Sequence, residues 1–274
     1  MIFPHRKLIK PPVGQRPYRG HRLSKGLVGD WGMPEGAGNT VADLSGNGKT
    51  GTFVNTPRWI AGKFGHAIYL DAADHDYINL GTTDLVGSGV AFSYSFSFFA
   101  PIGLATGSYT LFGQRYSGSN AYSVRIYWYN PSTSNLLRFV CRNSLGTTVY
   151  CDVKPVLGVW NHVVGTYDGV NLRHYLNGVL KDTDALAGPL QTGVVHTAIG
   201  ALPATTPMSF WEGIISDFSA YNRDLSASEI ALLHREPFCM FYNENQFGIL
   251  GSYTTPVGGN AGIMTCNTGY WGSI

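Results

Sequence analysis

The sequence predicts an all-β fold, a two-sheet antiparallel jelly-roll sandwich with one short edge helix and extended N- and C-terminal segments. Turn punctuation recurs at short intervals through the middle of the chain, as GNGKTG, AADHD, GTTD, NPSTSN, NSLG, YDGVN and LNG, a spacing that marks a sandwich or barrel. Between the turns, segments such as Phe92 to Phe99 (FSYSFSFF) and Tyr122 to Tyr129 (YSVRIYWY) alternate aromatic with small or polar residues. That alternation predicts strands with one buried and one open face. Composition agrees: of 274 residues 35 are Gly, 13% are aromatic and only 13% are charged, a mixture suited to strands and tight turns and to a surface partly covered by neighbours.

The chain divides into three segments. Residues 1–25 hold seven basic residues and no acid: Arg6, Lys7, Lys10, Arg16, Arg19, Arg22 and Lys25. With Pro4, Pro11, Pro12 and Pro17 interrupting any helix, they predict an extended basic arm, suited to an acidic surface or to solvent alone. Residues 26–237 carry the strand pattern. Near their end LSASEIALLHRE predicts the one helix, with Ser226 as cap and Glu229 completing a capping box. In residues 238–274 the chain changes character, and its last 26 residues contain no Asp, Glu, Lys, Arg or His. A segment so devoid of charge is expected to pack on its own body or on a neighbouring subunit.

Other residues have local readings. Asn177-Gly178 is the dipeptide of a two-residue hairpin, where both central residues need positive φ. Cys141 and Cys151 are expected across a hairpin turning at Asn143 to Gly146, as reduced strand residues; Cys239 and Cys266 complete no metal pair or disulfide framework. His162 is expected on the side of its strand away from the core, as a surface or satisfied polar residue. The start MIFPHRKLIKPP lacks the apolar stretch of a secretory signal, and no run approaches the roughly 20 apolar residues of a membrane span. Synthesis in a cytosol without export is therefore the expectation.

Five stretches, in order, resemble the laminin-G-like, concanavalin A-like jelly-roll superfamily. They are GLVGDWGMPEGAGNTVADLSGNGKTGTF, KFGHAIYLDAADHDYINLG, VAFSYSFSFFAP, WNHVVGTYDGVNLRHYLNGVLKD and FWEGIISDFSAYNRDLSASEI, and they span Gly26 to about Pro237. The resemblance implies a sandwich and brings two chemistries into view, glycan binding and glycoside hydrolysis. Retaining hydrolysis needs two carboxylates about 5 Å apart, at alternate positions of one strand face. No glutamate here has an acidic partner two, three or four residues away. With no GxSxG, HExxH or GxxxxGK[ST] motif either, the chain is expected to be non-enzymatic.

Calcium is the one cofactor considered. DAADHD offers Asp71, Asp74 and Asp76 as hard oxygen ligands, and the resemblance adds the turn from Asp43 to Asn47; neither is a complete ligand set, and polar turn chemistry alone is the favoured account of both. A glycan platform is expected from Tyr122, Arg125, Tyr127, Trp128, Tyr129 and Asn130, with core filling or a subunit contact as the competing role for the aromatics. The basic lead and the EPFCMF exit resemble the mounting of laminin-G-like proteins of phage genomes. That implies a virion structural or accessory protein, a capsid-decorating or head-attached subunit that contacts the major capsid protein or other virion subunits and forms homo-oligomers. The alternative is a lectin-like carbohydrate-binding module or adhesin for a cell-surface glycan, with calcium as an aid.

Overall fold

The computed structural model describes residues 8–85, 90–116, 122–132, 134–190, 193–204 and 206–242. In chain order the strands are β1 (Leu27–Trp31), β2 (Thr40–Val41), β3 (Gly51–Val54), β4 (Arg58–Gly62), β5 (Gly65–Leu70), β6 (Tyr77–Asn79), β7 (Phe92–Phe99) and β8 (Gly107–Tyr116). They continue with β9 (Tyr122–Asn130), β10 (Leu136–Arg142), β11 (Thr148–Val153), β12 (Trp160–Tyr167), β13 (Asn171–Leu176), β14 (Val179–Ala185), β15 (Val194–Ile199) and β16 (Gly213–Tyr221), followed by helix α1 (Ala227–Arg235). Two antiparallel sheets result. Sheet one has the order β14-β13-β12-β7-β16-β5-β4, with β1 also paired to β16; sheet two has the order β11-β10-β9-β8-β15-β6-β3-β2.

The core between the sheets is aromatic, as the alternation requires. Phe92, Tyr94, Phe96 and Phe98 of β7 point inward and meet Phe112, Trp128, Phe139 and Phe218, all of them buried. Tyr94 lies 4.5 Å from Phe112 and Phe112 lies 4.8 Å from Phe218 between ring centroids, distances at which such rings attract beyond their area burial. Turn chemistry sets the hairpins. Asn177 (φ 52°) and Gly178 (φ 80°) both sit in the left-handed region, as a two-residue turn between β13 and β14 demands. The Asn143 carboxamide oxygen accepts from the amides of Leu145 (3.1 Å) and Thr147 (2.8 Å) and so fixes the turn between β10 and β11. Helix α1 starts with the expected box, since Ser226 and Glu229 cap one another.

Sheet one differs from the expectation of an open outer face. Ser93, Ser95 and Ser97, the small residues alternating with the aromatics of β7, are also buried, because a third layer roofs them. That layer combines residues 8–25, helix α1 and the turn Cys239–Phe241, joined in a second apolar cluster that includes Leu23, Tyr221, Ile230, Leu233, Phe238 and Phe241. Residues 8–25 are therefore a docked strap and not a free arm. Tyr18 N–H donates to Met240 O (2.7 Å), Gln15 Nε2 to Phe241 O (2.5 Å) and Tyr242 Oη to Ile9 O (3.1 Å).

Two further placements differ from the sequence reading. Cys141 pairs with Val149 and Cys151 with Phe139, so the two thiols are offset by two positions and not opposite; both are free and buried. His162 is not at the surface: it lies under the roof, its Nε2 2.9 Å from Ser95 Oγ, while its Nδ1 is buried without a hydrogen-bond partner among the described residues.

Candidate functional site

The outer face of sheet two, over β9 to β11, gathers aromatic and guanidinium groups. Antiparallel register aligns Tyr127 with Arg138 and Arg138 with Asp152 in one row. Arg138 is the centre of the face. Its guanidinium carbon lies 3.8 Å from the Tyr150 ring centroid and 4.5 Å from that of Tyr129. Its Nε and Nη2 donate to the two oxygens of Asp152, each at 2.8 Å. This forked bond raises the Arg138 pKa above its ordinary value, so the group stays charged and stationary. Beside it the Arg125 guanidinium lies 4.0 Å from the Tyr127 centroid and donates to Thr110 Oγ1 (2.9 Å) and Ser108 Oγ (3.0 Å).

The expected glycan platform is split by strand alternation. Arg125, Tyr127 and Tyr129 share this outer face, with both tyrosines half-buried. Trp128 points the other way and is fully buried in the core, 6.2 Å from Trp211 between centroids, so it cannot touch a ligand. Asn130 is buried as well, and its amide reaches Leu104 O and Ala105 O while its oxygen accepts from Asn135 N–H. The Tyr122 side chain lies outside the described residues. Sequence reasoning missed Arg138, Tyr150 and Asp152. Their own alternation in β10 and β11 marks them as face residues, but joining them to Tyr127 and Tyr129 requires the pairing order.

The carboxylates proposed for calcium are already engaged by backbone. Asp43 is buried, and it accepts from the amides of Asp30 (3.0 Å), Ser45 (2.9 Å) and Lys49 (3.0 Å). Asn47 donates to Val28 O (2.9 Å) and Leu27 O (3.2 Å). Asp76 accepts from Thr56 N–H (2.8 Å) and Asp71 N–H (3.2 Å), while Asp71 accepts from Ala73 N–H (2.9 Å). Asp74 is exposed. The oxygens of Asp43, Asp71 and Asp76 thus close turns, and among the described residues no group of three or more His, Cys, Asp or Glu converges on one point.

The basic residues of residues 1–25 also separate. Arg6 and Lys7 lie outside the described residues. Arg16, Arg19, Arg22 and Lys25 are exposed. Lys10 is buried, contrary to its expected surface role, and its Nζ donates to Ser216 O (2.5 Å), Met33 O (3.2 Å) and His66 O. Burial pulls its pKa down to about 8, against the pull of Asp217, Glu35 and Asp30. Burial likewise pushes Asp30 up to about 7 and raises Asp217. This polar knot under the roof has its ammonium donors spent on carbonyls and is structural. Glu212 and Asp217 do not pair either. Glu212 lies outside β16 and accepts from Tyr69 Oη (2.6 Å) and Ala72 N–H (3.0 Å), whereas Asp217 accepts from Ser97 N–H (3.1 Å).

Known structures share this architecture. Domain 4 of AbnA, a GH43 extracellular arabinanase from Geobacillus stearothermophilus solved in complex with arabinotriose, is 22% identical, with a TM-score of 0.57 over 76% of this chain and 98% of that one. The binding domain of Paraclostridial Mosquitocidal Protein 1 is 16% identical, with a TM-score of 0.57 over 78% of this chain and 52% of that one. The binding domain of botulinum neurotoxin DC in complex with SialylT is also 16% identical, with a TM-score of 0.57 over 77% and 51%. The chain thus spans about half the length of those toxin binding domains. No curated protein matches it. Among the described residues no helix is long and apolar enough to cross a membrane. The family model described as the concanavalin A-like lectin/glucanases superfamily, a laminin-G type, matches residues 71–231, and the chain belongs to that superfamily.

Proposed function

We propose that the chain is a non-catalytic carbohydrate-recognition module whose contact surface is the outer face of β9 to β11. The observation that carries this reading is the fixed array of Tyr127, Tyr129, Tyr150, Arg138 and Asp152. Tyr150 is 49% exposed, and tyrosines offer a sugar apolar area together with a hydroxyl. Because Arg138 is stacked and held by Asp152, little side-chain freedom remains to be lost on binding, which favours affinity. Among the described residues, the roof lies over sheet one and the outer face of sheet two carries no such layer. A saccharide on this fold has a precedent in the arabinanase domain solved with arabinotriose. Hydrolysis is disfavoured, since a retaining mechanism needs two available carboxylates about 5 Å apart, whereas both oxygens of Asp152 are held by Arg138 and those of the neighbouring Asp182 accept from the Asp152 and Thr183 amides.

A glycan array followed by calorimetric titration of the best oligosaccharide tests the proposal. Tyr129→Ala and Tyr150→Ala should each weaken binding by about tenfold, the order expected for loss of an aromatic contact, with the fold unchanged. Trp128→Ala should instead cost about 3–5 kcal/mol of stability. Chelation of divalent cations should leave affinity unaltered, because the Asp43 and Asp76 oxygens are spent on amides. Absence of saccharide binding, or tight binding by both tyrosine variants, would overturn the assignment.

A second reading is an accessory protein of a virus particle, a bacteriophage capsid-decorating or head-attached subunit on the major capsid protein or another virion subunit. The exposure of Arg16, Arg19, Arg22 and Lys25 on the docked strap supports it, as a basic strip suits an acidic shell. Quantitative mass spectrometry of purified particles tests it. A fixed high copy number, lost when Arg22 and Lys25 are changed to Glu, is the expected result, and absence from particles rejects it. Homo-oligomerisation is part of this reading and is checked by light scattering.

A further inference from the structure

Between the strap and the turn that follows β2 lies a groove of about 600 Å³, lined by Arg16, Pro17, Arg19 and Ser24 on one side and by Leu27, Ser45, Gly46 and Asn47 on the other. Its volume falls within the range of small-molecule sites. We infer that this groove is an oxyanion site, taking the sulfate, carboxylate or phosphate group of a small acidic ligand. Among the described residues that line it there is no carboxylate. Asp43, the acid of the adjoining turn, is buried with its oxygens turned to three backbone amides, so it does not present a carboxylate oxygen to a ligand in the groove.

The two arginines are prepared differently. Arg16 is positioned by one bond, from Nη1 to Asp43 O at 3.0 Å, which leaves its other donors for a ligand. Arg19 is exposed and makes no hydrogen bond or ion pair among the described residues. Guanidinium groups bind planar and tetrahedral oxyanions in forked geometry, which a lysine cannot match. Gly46, at φ +98°, adds no side chain to the groove; a Cβ there would sit 3.6 Å from Arg16 Nη1. The turn expected to hold a cation thus presents its outer side to an anion. None of these residues belongs to the tyrosine face, so the two sites stand or fall separately.

The test titrates the full chain with inorganic sulfate, inorganic phosphate and glucuronate, followed by NMR shifts of the Arg Nε–H signals. One of the three should bind saturably and move Arg16 and Arg19, and the strongest identifies the acidic group of the ligand. Arg19→Gln, which disturbs no contact, should weaken binding by about tenfold, the loss expected for a charge-assisted pair, and the Arg16→Gln, Arg19→Gln double variant should abolish it. The Arg22→Gln, Lys25→Gln pair removes the same charge outside the groove and should leave affinity within about twofold, as screened charges do. Equal losses in both pairs would mean general attraction to a basic strip and would overturn the inference. So would failure of all three anions to saturate.

Discussion

Lys10 bonds to three carbonyls that are 23, 56 and 206 residues away in sequence, and this makes one side chain the fastening of the strap. Lys10→Met should remove about 1–3 kcal/mol of stability in urea titrations, since it leaves buried carbonyl acceptors without their donor. Asp30 gives a pH prediction. Its pKa rises from 3.8 to about 7, so the folded chain keeps a proton that the unfolded chain has lost, and that stabilisation fades as pH climbs through this window. Burial lowers His162 to about 3 and His174 to about 4 from 6.5, and their stabilisation fades in the opposite direction, as pH falls below 6.5. The two slopes oppose each other in mild acid. In Asp30→Asn stability should therefore rise more steeply from about pH 4 to 6.5 than in the parent, a comparison that urea midpoints at several pH values will make. None of this was legible in the sequence, where Lys10 is one of seven bases in a proline-rich lead; only long-range contacts distinguish it from Arg16 or Arg19.

At the scale of single elements the sequence was far more informative, because local chemistry decides them. Ser226 and Glu229 announced helix α1, Asn177-Gly178 announced the β13–β14 hairpin, and the aromatics of β7 announced the core. Ser226→Ala should cost about 1 kcal/mol and lower the thermal midpoint by a few degrees. The Glu229 carboxylate would keep its ties to Arg223, at 2.8 and 2.9 Å. Strand β9 shows where local reading stops. The sequence reading pooled six candidates between Tyr122 and Asn130 into one platform, although period-2 geometry puts Arg125, Tyr127 and Tyr129 on one face and sends Trp128 to the other. The partners Arg138 and Asp152 come from neighbouring strands, and pairing order is set by the whole sandwich.

At the scale of the whole fold, the described residues form three layers where two were expected. The third explains why β7 is buried on both faces and why a chain with so few charged residues can still hide them. Truncation of residues 1–25 should expose Ser93, Ser95 and Ser97 together with the apolar roof residues, cost at least several kcal/mol and raise binding of a hydrophobic dye. Retention of parental stability would show that the strap is dispensable. For the same reason, loss of particle association in such a truncation would report unfolding as readily as loss of a binding arm, and charge reversal at Arg22 and Lys25 is the cleaner probe.

The strap and the C-terminal turn run past each other in opposite directions, with Ile9 on Tyr242, Gln15 on Phe241 and Tyr18 on Met240. A pulling force applied at both ends of the body would load these bonds one after another from the outside, as a zipper is loaded, and the contact would open at low tension. Lys10 would be the first catch to resist. Mechanically the domain is thus a rigid sandwich behind a fastening that yields early, so that the strap would peel away before the outer face of β9 to β11 is disturbed.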